Sequence, residues 1–196
     1  MNQWGKRSAV AAAVVVVLAA GFALFRLSIP VYPYGWSHCC DKGLMIALLT
    51  YAENHDGWFP KGEASPEASL SLLYREDPQS VDANLLRGKT VPESAVLARL
   101  EAGELLTPET CGWHYVEGLR KGDDPRLALF WDKVGLGHNG EQLRDGGHWV
   151  CFISFDIKHI PESRWESFLA EQKQLHAGLK RPNPPESPGV LYSNPA

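Results

Sequence analysis

Seven histidines, four cysteines and a scatter of aspartates are the side chains with chemistry to offer in this chain, and their spacing limits what they can do. His38, His55, His114, His138, His148, His159 and His176 include no HExxH pair and no dense ligand spacing of the kind that holds zinc. His55 and Asp56 stand together in "YAENHDGWFP", directly after an apolar run. Asn, His, Asp and Gly suit tight backbone turns, so the pair reads as the end of a helix before it reads as a ligand set. Asp132 and His138, in "WDKVGLGHNG", fit a strand end that runs into a glycine-rich loop. The enzyme reading these residues allow is a metal-dependent hydrolase built on His114, His138 and Asp132. Other chemistry is thinner. Ser154 has strand neighbours and no glycine elbow, no phosphate-cradling glycine loop occurs, and Asp123-Asp124-Pro125 fits a turn better than a calcium site. The expectation is a protein without catalytic residues, resident metal or cofactor.

The elements that position these residues fall into four segments. Residues 8–25 carry no charge and no proline, and as a helix they would run about 27 Å, close to the thickness of a bilayer's hydrocarbon. Lys6 and Arg7 precede them, which keeps the N-terminus cytoplasmic and sends the rest outward. Residues 1–26 are therefore expected to be a membrane anchor, the alternative being a signal peptide cleaved near Ala19 to Ala23. The bilayer is then a partner through residues 8–25, and the protein a single-pass inner-membrane protein with its C-terminal domain outside the cytoplasm. Pro30 and Pro33 mark a linker over 27–36, residues 37–179 are long enough for one domain with its own core, and the proline-rich tail 180–196 reads as disordered. Net charge is −4 with both signs interspersed, so nucleic acid is not an expected partner.

Cys39, Cys40, Cys111 and Cys151 show no CxxC spacing, which removes zinc-ribbon and thioredoxin readings. Adjacent cysteines are poorly placed to bond to each other, so in an oxidising compartment a disulfide from Cys39 or Cys40 to Cys111 or Cys151 is expected. Leu44, Ala47, Leu48 and Tyr51 recur at helical spacing within a helix over 38–54, capped by Ser37 or Asp41 and ended by Asn54 and Gly57. Amphipathic pieces follow over 66–76, 80–88 and 92–105. Short aromatic and β-branched runs at 113–118, 127–132, 149–155 and 157–160 read as antiparallel strands. A last helix over 161–179 groups Trp165, Phe168, Leu169 and Gln172 on one side. Helices first and strands later define an α+β class.

Three stretches in collinear order carry a family resemblance. "CCDKGLMIALLTYAENHDGWFP", "TCGWHYVEGLRKGDDPRLALFWDK" and "GHNGEQLRDGGHWVCFISFDIKHIPESRW" together resemble the pseudopilin-like, prepilin-type H-X9-DG proteins of the type II secretion and type IV pilin superfamily. The resemblance covers about residues 37–175. It implies a transmembrane helix followed by a pseudopilin-like domain, in which an amphipathic helix packs on a small antiparallel β-sheet. It implies that Tyr51, His55, Asp56, Gly57, Phe59 and Pro60 form the turn closing the N-terminal helix. Cys111 would be the mid-domain cysteine, Asp132, Lys133 and His138 the following motif, and Val150, Phe152 and Ile160 the inward residues of the last hairpin. Two departures are plain: Ser154-Phe155 stands where the family has Asp-Gly, and Gly5 is followed by Lys6, Arg7 and Ser8 with no glutamate in the apolar run. The implied role is non-enzymatic, structural or interactive at the cell envelope, with envelope or secretion-system proteins as partners. A true minor pseudopilin is the alternative within the same family.

Overall fold

The computed structural model describes residues 3–28, 40–137 and 140–179, with the first helix's side chains described over 12–24. Residues 29–36 of the expected linker, the tail, Cys39 and His138 lie outside those residues, and residues 27–28 of that linker are the end of α1. Helix α1 (Gln3–Ser28) comes first, but among the described residues no helix is long and apolar enough to cross a membrane. The transmembrane segment over 8–25 and the single-pass inner-membrane placement drawn from it are corrected on that finding.

Beyond α1 the chain is α+β. Helices α2 (Cys40–Asn54), α3 (Pro66–Glu76), α4 (Ala83–Leu86) and α5 (Glu93–Glu101) precede strands β1 (Trp113–Tyr115), β2 (Ala128–Asp132), β3 (His148–Phe152) and β4 (Ile157–Ile160), and α6 (Glu162–Ala177) closes the fold. The start of α3 and the end of α2 have local causes. Ser65 Oγ accepts the Ala68 N–H, 3.1 Å away, and Pro66 supplies the first helical φ of α3. At the end of α2, the Gly57 N–H reaches back to the Ala52 carbonyl (2.8 Å), and the left-handed residues are Asp56 (φ 53°) and Gly57 (φ 81°). Asn54 stays helical, so Asp56 takes the terminating role expected of it.

The four strands form one antiparallel meander in chain order. Side chains alternate across it, so each face receives its own helices. One face sends Trp113, Tyr115, Phe130 and Cys151 into a core shared with Leu44, Leu48 and Ala52 of α2. The other sends Trp131, Val150 and Phe152 against Phe168 and Trp165 of α6. The single helix on a sheet is thus corrected to three layers. The direct neighbours of α2 are α3 and α4, and α3 lies on β1. Tyr51 sits only half-buried at the rim of the α2 stripe, and Ala52 takes the buried place. Between β3 and β4, Phe155 adopts φ 63° where the resembled family has glycine, and Ser154 Oγ donates to Asp156 Oδ2 at 3.1 Å to hold the turn.

Helix α6 is pinned by a polar clamp. A bulge between Ala128 and Phe130 breaks the β2–β3 register, and Gln172 binds the chain just before it. Its Oε1 accepts the Ala128 N–H (2.8 Å) and its Nε2 donates to the Arg126 carbonyl (3.1 Å). Leu169 was expected on the same face. It is 40% exposed, because one residue beyond Phe168 the helix has turned by about 100°. Replacing Gln172 with Ala strands the Ala128 N–H in the interior. Urea denaturation should show a loss of about 1–3 kcal/mol, whereas Leu169→Ala should stay within about 0.5 kcal/mol.

Candidate functional site

The densest chemistry lies inside the larger core, where three distant segments are drawn together at the end of α4. A helix leaves its last carbonyls without internal partners. Here the segment at the start of β1 supplies them. Trp113 Nε1 donates to the Leu85 carbonyl (2.8 Å), Cys111 Sγ to that of Leu86 (3.5 Å), and the Gly112 N–H to that of Arg87 (2.9 Å). The chain then turns at Gly88, in the left-handed region at φ 67°, with its backbone against Gly112. A Cβ on Gly88 would stand 2.8 Å from the Cα and carbonyl carbon of Gly112. Two side-chain-free residues at that contact let the chain pass beneath β1 and deliver Lys89 to the interior.

Lys89 is 1% exposed and meets two aspartates, each 2% exposed. Its Nζ lies 3.1 Å from Asp41 Oδ1 and 3.4 Å from Asp41 Oδ2, at the start of α2. It also contacts Oδ2 of Asp132, the last residue of β2, directly. The Trp113 ring closes the site, with the ammonium 5.8 Å from its centroid. Asp132 Oδ1 is buried and has no hydrogen-bond partner among the described residues. Fully ionised, one lysine and two aspartates would leave an uncompensated negative charge where water does not reach. Burial penalises that charge, and the site responds by holding a proton. Desolvation, with Asp41 adding to it and Lys89 opposing it, pushes the Asp132 carboxyl up to about 7. A carboxyl that keeps its proton up to the neutral range, a second carboxyl and a lysine nitrogen therefore share one sealed pocket.

The residues singled out in the sequence divide between two places. Tyr51, His55, Asp56, Gly57, Phe59 and Pro60 do come together, in the turn after α2. His55 stacks on Tyr51 with centroids 3.8 Å apart, its Nδ1 pairs with the Tyr51 carbonyl (2.8 Å), and its Nε2 lies 3.3 Å from Glu76. Phe59 and Pro60 are buried, and Tyr115 Oη donates to the Pro60 carbonyl (2.8 Å). Asp132 belongs instead to the lysine site. Lys133, next to it, points the other way, towards Glu67 (2.7 Å) and the Pro108 carbonyl (2.9 Å). His114 pairs with Trp131 across the β1–β2 ladder while Asp132 pairs with Trp113, so His114 and Asp132 project from opposite faces. His114 lies stacked on Trp131 at 4.2 Å, and burial holds its pKa below the ordinary imidazole value. Cys111 is a buried free thiol, pushed up by burial to about 12. Cys151 is buried in β3, and the side chain of Cys40 is outside the described residues.

Sequence reasoning missed Lys89 and treated Asp41 only as a helix cap. A signal was present. Asp41 precedes Leu44, Leu48 and Ala52 at spacings of three and four, which places it on the buried stripe of α2. Asp132 likewise ends a strand buried along its whole length. Two acids on core faces call for a buried cation. Fold and site together define an α+β domain organised around a sealed Asp–Lys–Asp cluster. No family model, curated protein or solved structure matches the chain.

Removing the cation leaves two buried carboxyls facing each other. The Lys89→Met variant should lose at least about 3 kcal/mol at neutral pH. Raised carboxyl pKa values mean that the folded state binds protons the unfolded state releases. The variant's stability should therefore be greatest near pH 4 and fall as pH rises towards 7 and beyond, as denaturant titrations at several pH values will show. Gly88→Ala, which places a Cβ against backbone in the left-handed region, should lower stability by about 1–2 kcal/mol or more in the same assay.

Proposed function

We propose that this chain is a non-enzymatic, pseudopilin-like module with a structural or protein-interaction role, and that proteins of a secretion assembly are its partners. The collinear motifs over 37–175 support the family reading, as does the order of helix, clamped turn and antiparallel meander. The observation that carries the interaction reading is a groove of about 600 Å³ between α2, α3 and α4. Its apolar lining includes Ile46, Ala47, Leu73, Val81 and Leu85, with Tyr51 at one end. Ile46 is 63% exposed although it sits on the helix that carries the deepest core stripe. An isoleucine left open beside a concave apolar wall suits a side chain from a partner. The lysine cluster, by contrast, is closed to any dissolved substrate.

A photo-crosslinking amino acid at position 46, expressed in the native host, should trap a defined protein adduct that is absent when the probe is at Leu97 on α5. Adding Ile46→Glu to a probe at position 47 should lower the adduct yield about tenfold, the equivalent of roughly 1.4 kcal/mol. Equal trapping at 46 and 97, or none at either, would sink the interaction reading.

A further inference from the structure

We propose that Lys89 and Asp132 condense in the folded protein to an intramolecular isopeptide bond, with Asp41 acting as the proton acceptor that enables it. Four observations point to this chemistry. The amine nitrogen and the carboxyl oxygen are already in direct contact. All three side chains are sealed from solvent. Oδ1 of Asp132 has no hydrogen-bond partner among the described residues, so that carboxyl is not held as a fully solvated or fully paired anion. A second carboxylate stands 3.1 Å from the same nitrogen, where it can take a proton without leaving the site.

The step balances within these residues. The Lys89 ammonium gives one proton to the Asp41 carboxylate, which frees the nitrogen lone pair. The amine attacks Cγ of the neutral Asp132 carboxyl and a C–N bond forms. The tetrahedral intermediate expels its hydroxyl, which takes a second proton from the nitrogen and leaves as water. The products are an amide, one water and Asp41 as a neutral acid, with no oxidant, metal or cofactor consumed.

The site favours that outcome for two physical reasons. Holding the reacting groups in contact replaces a bimolecular encounter with an effective concentration of about 10⁵ M or more for well-oriented groups. Condensation also replaces a buried ammonium–carboxylate pair, costly to keep from water, with neutral groups, and it releases the water product from a dry pocket. Cys111, though buried beside the same strands, is no competitor, because burial keeps it a thiol. The link would tie the α4–α5 loop covalently to the end of β2, independently of whatever the groove binds.

Intact-mass spectrometry of the purified full chain, under denaturing conditions, tests this directly. The expected mass is one water below the sequence mass. A tryptic digest should contain a branched peptide joining Lys89 to Asp132, with no cleavage after Lys89. Lys89→Met and Asp132→Ala should each restore the full sequence mass, and Asp41→Ala should leave most of the chain unlinked. A wild-type chain of full sequence mass with cleavage after Lys89 overturns the proposal, as does a water loss that persists in Lys89→Met or a link that maps to Asp41. The wild-type mass and digest decide the matter even if a variant fails to fold.

Discussion

A lysine enclosed in a hydrophobic core is the constraint around which this domain is arranged. Its ammonium cannot be left alone in a low-dielectric interior, so the fold must bring acids to it. Those acids come from the first turn of α2 and the last residue of β2, far apart in the chain. Meeting the lysine fixes where α2 begins relative to the sheet and how deep the loop after α4 must pass. The glycine contact at Gly88 and Gly112, and the three donors that satisfy the end of α4, are consequences of that route. The cluster is thus both a structural tie and the place where the domain's reactive groups are confined.

The sheet shows how the rest of the molecule accommodates a two-sided core. Because its faces alternate, Trp113 and Phe130 serve the helical layer while Trp131 and Val150 serve α6. The aromatic contacts on the second face are extensive. Trp165 stacks on His148 at 4.1 Å and on Phe168 at 5.2 Å, and meets Trp131 edge-on at 5.7 Å. Ring packing without a polar anchor would let α6 slide along the sheet. Gln172, bonded to the Arg126 carbonyl and the Ala128 N–H just before the β2 bulge, supplies the register.

The turn after α2 works as a clamp of a different kind. Its backbone pairs with the loop before β2, through Phe59 to Leu119 and Lys121 to Gly57, while Arg120 and Lys61 lie over the Trp58 ring. Histidine and aspartate, the residues most suggestive of catalysis, are occupied in holding it. Rigid packing on both sides of the sheet, a closed polar cluster and an open groove along α2 are the features on which the proposed interaction role rests.

Much of this architecture is legible in the residues alone. Period-of-four apolar spacing locates α2, α3 and α6, alternating aromatic runs locate all four strands, and the Asn-to-Gly cluster after α2 announces its end, because these signals depend on local geometry. Which residue near Gly57 becomes left-handed, and whether Leu169 or Gln172 faces the sheet, do not follow from local pattern. The lysine site lies furthest from such reach. A short-range reading sees Asp41 as a cap, Lys89 as a loop residue and Asp132 as a strand end, each ordinary in its neighbourhood. Only the tertiary structure brings them into contact, because burial and charge pairing are properties of segments that meet in space, and nothing within a few residues of Lys89 records which acids it will meet.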